Sequence, residues 1–310
     1  MEERQIQVLL EQAYAQRQLS NWKGAIDLCQ RALAIDPDNG KAHAALGVSL
    51  LGARRLSAAL VEMRIALGLD GNEPYVHYAA AMILRAARKL DDAWAHCLIA
   101  IGDAEADAGA YVLGAQIQVL LGDRAKAREL LGEALELEAA HTGALTQLAR
   151  LELSVGNHAT AAERALAALQ SAPGNTDAHV VAGFIDLARG DEASAETHAR
   201  FVLTQDGNDE GGLGLFVAIK VRRNPLLGLW WRLNSWLTTG DDGRRVALMI
   251  ALFVLARVLI IVTDEAGFPT VSRVLWFVWL GTCIYTWIGP MVFRYWLKQE
   301  LDDVKLDPTF

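Results

Sequence analysis

GKAHAALGVSLLGARRLSAALVEMRIALGLDGNE (residues 40–73) is a 34-residue block whose small residues return at the same places along the chain. Frames that begin at 6, 40, 74, 108, 142 and 176 make six gapless blocks, the last ending at 209. Position 20 of the blocks is Ala25, Ala59, Ala93, Ala127, Ala161 and Ala195. Position 8 is Ala13, Gly47, Ala81, Ala115, Ala149 and Gly183, all small. Position 27 is Ala32, Ala66, Ala100, Ala134 and Ala168, then Val202. Position 32 is Pro37 and Pro173 in the first and fifth blocks, and Gly71 and Gly207 in the second and sixth. Internal repetition therefore comes before any other reading of this sequence.

The columns have a physical reason. Two antiparallel helices per block must approach closely, so small residues are needed where they cross. Larger residues such as Leu46, Met63, Leu131 and Leu148 fill the space between them. One helix pair cannot bury both of its faces, so each block needs its neighbour. Gly122-Asp123, Gly156-Asn157 and Gly190-Asp191 mark turns inside blocks, with Gly in the left-handed conformation. Asp36-Pro37-Asp38-Asn39 and Ala172-Pro173-Gly174-Asn175 mark turns between blocks. Residues 210–223 continue the frame for one more first helix, which caps the last apolar face with Leu213, Phe216 and Val217.

The pattern resembles the tetratricopeptide repeat, W-x2-L-G-x2-Y followed by A-x3-F, A and P over 34 residues. The resemblance covers residues 6–209. Its Trp column here holds Leu9, His43, His77, Tyr111, Leu145 and His179, and its Leu-Gly pair is intact only as Leu46-Gly47. The expected fold is all-α: a solenoid of six helix pairs plus a capping helix over 1–223, an interfacial segment over 224–243, and a two-helix transmembrane hairpin over 244–310.

Charge divides the chain in the same place. Residues 1–219 carry 18 Lys and Arg against 29 Asp and Glu, while residues 220–310 carry 11 against 8. An acidic body argues against nucleic acid as a partner, because phosphate contacts need clustered cations. Seven of the nine tryptophans lie at or beyond Trp230. Asn224-Pro225 suits a helix start, and LLGLWWRLNSWL (226–237) is too short to span a bilayer. Trp230, Trp231 and Trp236 with Arg232 fit a helix lying in the interface; the plainer alternative is a soluble helix docked on the cap.

The next stretch, VALMIALFVLARVLIIV (246–262), has 12 Val, Leu, Ile or Phe residues. On an insertion scale they sum to roughly −5 kcal/mol, against about +3 kcal/mol at most for Arg257. Arg257 sits toward one end, where it can snorkel or meet Asp264 or Glu265. The second span, VLWFVWLGTCIYTWIGPMVF (274–293), is uncharged, with Trp276 and Trp279 suited to an aromatic belt and Pro290 predicting a kink. Basic residues flank the pair on the outside, and the linker TDEAGFPTVSR (263–273) carries only Arg273. Both termini and the repeats are thus expected on the cytoplasmic face, consistent with an N-terminus that reads as no secretory signal. The tail is similar to those of bacterial repeat proteins of the membrane, which implies an inner-membrane location.

No catalytic motif stands in a fitting context, so neither catalysis nor a cofactor is expected. The seven histidines show no metal spacing; those at position 4 read as packing residues. Cys29 and Cys97 share a between-helix column and read as buried thiols. What remains is recognition. In the resembled family the concave face is lined by first-helix positions 2, 5, 9, 12 and 13. These positions include Tyr14, Tyr75, Tyr78, Met82, Arg85, Arg150 and Phe184 here, and lack the Lys and Asn that clamp a peptide's terminal carboxylate. Tyr, Met, Phe and Arg are residue types that anchor interfaces. The expected partner is a protein segment, apolar or amphipathic, with membrane lipid around the tail. The expected role is a membrane-anchored interaction scaffold. The alternative is an accessory subunit of a membrane transport or secretion complex in which the hairpin is the functional part.

Overall fold

The computed structural model describes residues 2–102 and 107–223, and in the tail residues 254, 257–268, 270, 271, 273–277 and 280. Up to residue 223 the described chain is helical. The first helices of the six pairs are α1 (Glu2–Gln18), α3 (Gly40–Gly52), α5 (Pro74–Ala86), α7 (Ala108–Leu121), α9 (Thr142–Ser154) and α11 (Thr176–Arg189). Their partners are α2 (Trp22–Ile35), α4 (Leu56–Leu69), α6 (Leu90–Ile101), α8 (Arg124–Leu137), α10 (His158–Ser171) and α12 (Glu192–Gln205). The capping helix is α13 (Glu210–Arg223). First helices from α3 onward, and all second helices, begin at the 34-residue interval read from the sequence. Two compact units divide within α11, one over Met1–Val181 and the other over Ala182–Phe310.

Local chemistry sets these boundaries. Five of the six position-34 residues cap the following first helix with a side chain; Glu73, before Pro74, makes no such bond. Asn39, Asp107, His141, Asn175 and Asp209 accept the amide N–H three residues on, at 2.7–3.1 Å. Such a bond satisfies one of the donors that a helix start leaves open. Position 15 stops every first helix. Ser20, Arg54, Arg88, Gly122, Gly156 and Gly190 all have φ between 56° and 93°. At each, the next residue's N–H reaches back to the carbonyl five residues before it, as Lys89 does to Leu84 at 3.0 Å and Asp123 to Gln118 at 2.9 Å. This is the double-bonded left-handed C-cap. The sequence marked only the three glycine turns; Ser20, Arg54 and Arg88 adopt the same conformation under the constraint of the repeat.

Packing follows the small columns. All six position-20 alanines have no exposed surface, and position 27 is at most 4% exposed. In the first unit a Cβ on Gly47 would stand 3.1 Å from Ile83 Cδ1. In the second, a Cβ on Gly183 would collide with Leu215 of the cap. The first unit's largest core cluster runs from Ala13 and Cys29 through Leu46, Met63 and Ile83 to Leu113 and Ile117. The second unit closes around Leu187, Leu203, Leu215, Phe216 and Ile219. Cys29 and Cys97 are buried and free. Burial pushes the Cys97 thiol up to about 12, which leaves it inert.

The interfacial segment with Trp230, Trp231 and Arg232 lies outside the described residues, as do Trp279 and Pro290. Among the described residues no helix is long and apolar enough to cross a membrane. Two corrections concern residues 257–273, read from the sequence as the end of a span and a linker. Helix continues through Glu265 and resumes at 270, so most of 263–273 is helical. Gly267 at φ 81° allows the tight turn: Phe268 N–H bonds Thr263 O at 3.1 Å and Gly267 N–H bonds Asp264 O at 3.1 Å. Among the described residues, no ion pair joins Arg257 to Asp264 or Glu265. Seven residues, about 10 Å of helix rise, separate Arg257 from the nearer acid.

Replacing Arg54 or Arg88 by Gly relieves a left-handed strain that a side chain makes costly. Each should stabilise the protein by about 0.5–1 kcal/mol after the gain in unfolded-chain entropy is set against it. Gly122→Ala should destabilise by about 1 kcal/mol. Urea unfolding followed by circular dichroism checks all three.

Candidate partner-binding groove

The first helices of the first unit line two adjoining cavities. One, of about 760 Å³, is lined by Tyr14 and Gln18 of α1, by Tyr75, Tyr78, Met82 and Arg85 of α5, and by Val112 and Gln116 of α7. Glu73, Asp107, Glu138 and His141 stand at its edge. The other, of about 630 Å³, lies between α1 and α3 and shares Tyr14, Glu73 and Tyr75 with the first.

Five of the seven residues chosen from the sequence thus meet in a single cavity. Helical spacing explains it: Tyr75, Tyr78, Met82 and Arg85 recur at three- and four-residue steps on one face of α5. Arg150 is exposed on α9 and lines neither cavity. Phe184 belongs to the second unit, packed against its core. The sequence reading missed Glu73, Asp107, Glu138 and His141. Glu73, Asp107 and His141 occupy the position-34 column just before α5, α7 and α9. That recurrence is their signal in the sequence, although they lie outside the helices.

Arg17 shapes the boundary between the cavities. Its Nη1 donates to Ala45 O and its Nη2 to the Tyr75 hydroxyl, both at 3.3 Å, and its guanidinium lies 5.6 Å from the Tyr14 ring centre. Burial raises the Tyr75 phenol, with Arg17 pulling the other way. Burial also pushes Tyr78 up to about 12, and the nearby Asp107 charge adds to it. Both rings therefore present neutral hydroxyls at physiological pH. Arg85 is held below the usual guanidinium range by burial, and among the described residues its buried Nε has no hydrogen-bond partner. Lys41 pairs with Glu73 at 3.0 Å.

Residues 13–83 match the family model described as tetratricopeptide repeat. PilF of Pseudomonas aeruginosa is similar in structure, at 18% identity over 68% of this chain and 96% of that one, with a TM-score of 0.51. The fold is a tetratricopeptide-repeat solenoid. PilW, a type IV pilus biogenesis factor, is similar at 15% identity, covering 68% of this chain and 98% of that one, with a TM-score of 0.54. A tetratricopeptide-repeat protein from Parabacteroides merdae has 15% identity, coverage of 80% and 99%, and a TM-score of 0.52. No curated protein matches the chain in sequence.

In this tetratricopeptide-repeat frame the histidines at position 4 serve the turns between repeats. Nε2 of His43, His77 and His179 lies 2.8–3.0 Å from the carbonyl of Pro37, Gly71 and Pro173, each at position 32 of the preceding repeat. Among the described residues no group of three or more His, Cys, Asp or Glu could hold a metal ion. Position 23 supplies the other partner: His43 Nδ1 meets Glu62 at 2.7 Å, and His77 Nδ1 meets His96 Nδ1 at 2.7 Å. With His77 Nε2–H donating to Gly71 O, its Nδ1 accepts from His96 Nδ1–H.

Burial, then the charge of His77, hold His96 below the ordinary imidazole range, with Asp92 opposing. The unfolded chain therefore takes up this proton at higher pH than the folded chain does. Stability from this pair is present above the unfolded value and declines as pH falls through the lower folded value. Denaturant titrations between pH 7.5 and 5 should show a smaller loss of stability in His96→Gln than in the natural protein. An equal or larger loss in the variant removes the linkage.

Proposed function

We propose that this protein is a membrane-tethered docking scaffold whose first unit binds a segment of another protein in the α1–α5–α7 cavity. One observation carries the reading: Tyr14, Tyr75, Tyr78, Met82 and Arg85 line a common cavity of about 760 Å³. A cavity of that size takes a few side chains of a partner, and aromatic, Met and Arg side chains are the ones that anchor such contacts. The scaffold needs no reaction chemistry. Its contribution is local concentration, which tethering raises.

The tether is the second part of the proposal. Val258, Leu259, Ile261, Val262, Val274, Trp276 and Phe277 are each 44–66% exposed on the described tail helices. Such a density of large apolar surface is unusual in contact with water and suits a lipid surrounding. The repeats then lie on the cytoplasmic face of an inner membrane, with the basic residues before and after the spans on the same side.

A photocrosslinking amino acid in place of Met82, installed in native membranes, should capture a protein partner. Tyr78→Ala combined with Met82→Ala should abolish co-purification of that partner while helicity is kept; retained partners would remove the groove reading. Ending the chain at residue 223 should release the repeats from sedimenting membranes into the supernatant. Arg257→Leu should leave both sedimentation and partner capture unchanged. Loss of capture without loss of sedimentation would instead favour a working role for the hairpin in a membrane complex.

A further inference from the structure

The α5–α7 cavity is not uniform along its length. Glu73 immediately precedes α5 and Asp107 immediately precedes α7, so both acids stand at the N-terminal end of the first helices. Glu138, which also lines the cavity, follows α8 and so stands near the start of α9. Arg85 is in the last turn of α5, at the opposite end. Tyr78, Met82 and Val112 lie between. Ten residues of helix separate Tyr75 from Arg85, or about 15 Å at 1.5 Å per residue.

Arg85 is the informative residue, and Arg17 is its internal control. Both occupy position 12 of their repeats. Arg17 spends its guanidinium on Ala45 O, the Tyr75 hydroxyl and the Tyr14 ring. Arg85 lines the cavity with a buried Nε that has no hydrogen-bond partner among the described residues. A buried N–H donor without a partner is costly, and a carboxylate beside this half-exposed guanidinium would form a charge-assisted pair with it. At the other end Glu73 already pairs with Lys41, while the Asp107 carboxylate makes a helix-capping bond to Ala110 N–H at 3.0 Å. Among the described residues no cation pairs with that carboxylate, which is exposed.

We propose that the cavity reads charge order. It takes an extended segment with a basic residue at the Asp107–Glu138 end, apolar residues over Tyr78 and Met82, and an acidic residue at Arg85. At about 3.3 Å per extended residue, the two charges stand four or five residues apart. This rests on the docking reading above and adds the chemistry of the occupant. The acidic group is a side chain within the segment, held by a first-helix arginine.

The test uses the full chain in lipid nanodiscs and three labelled peptides, acetylated and amidated so that their ends are neutral. Each has the core Leu-Phe-Val-Leu, flanked by Lys and Glu, by Lys and Lys, or by Glu and Glu. Fluorescence anisotropy should rank the Lys–Glu peptide about tenfold above either of the others, the size of one charged hydrogen bond. Arg85→Glu should invert the order, so that the Lys–Lys peptide binds best. Asp107→Asn keeps a good helix cap and removes the charge. It should erase the preference for Lys–Glu over Glu–Glu while leaving helicity intact, which protects the test should Arg85→Glu fail to fold. Equal binding of the three peptides, lost in Tyr78→Ala plus Met82→Ala, overturns the charge order and leaves the groove standing. Absence of binding by all three also overturns it; the crosslink at position 82 then judges the groove by itself.

Discussion

The close approach of paired helices is the constraint on which the rest depends. Alanine or glycine at positions 8 and 20, and alanine or valine at position 27, leave no side chain in the way where helices cross. A larger residue there would push the pair apart and with it every contact that the next repeat makes. Gly183, where even a Cβ would collide with Leu215, shows how little room the arrangement leaves. Once the pairs are set, the remaining positions have fixed tasks. Position 15 turns the chain, position 34 caps the next helix everywhere but at Glu73, and in the repeats that carry His at position 4 that residue ties the turn between repeats.

The candidate site is a by-product of that regularity. Side chains that do not pack between helices are free to differ from repeat to repeat, and some of those on the first helices line the cavity. In the first unit they differ by supplying three tyrosines, a methionine and two arginines where other repeats have Ala44, Val112, Val48 or Gln116. Arg17 and Arg85 share a column yet have different surroundings: one is spent on internal bonds, the other is left with an unpaired buried nitrogen. A repeat register brings equivalent residues to equivalent places, but each residue's neighbours decide what it does there.

Several features were legible beforehand and several were not. The helix starts, the buried alanines and the grouping of Tyr75, Tyr78, Met82 and Arg85 all follow from period and spacing. The left-handed turns at Ser20, Arg54 and Arg88 were hidden, because neither Arg nor Ser advertises a positive φ. Asp107 and Glu138 were hidden because they lie just outside the helices, where helical spacing assigns no face. The short turn at Gly267 was masked by a linker rich in turn-forming residues, where a single C-cap proved sufficient.

By itself the amino-acid order determined the 34-residue interval, the helix pairs and the inward columns, because those are properties of spacing along a helix and of side-chain size. Tertiary structure alone decided which inward residues share a cavity, since Tyr14 and Tyr78 are 64 positions apart and meet only after three helix pairs have stacked. It also decided that, among the described residues, Arg17 finds partners and Arg85 Nε does not. A hydrogen bond depends on distance and angle to a partner from another repeat, and no column of a sequence contains either.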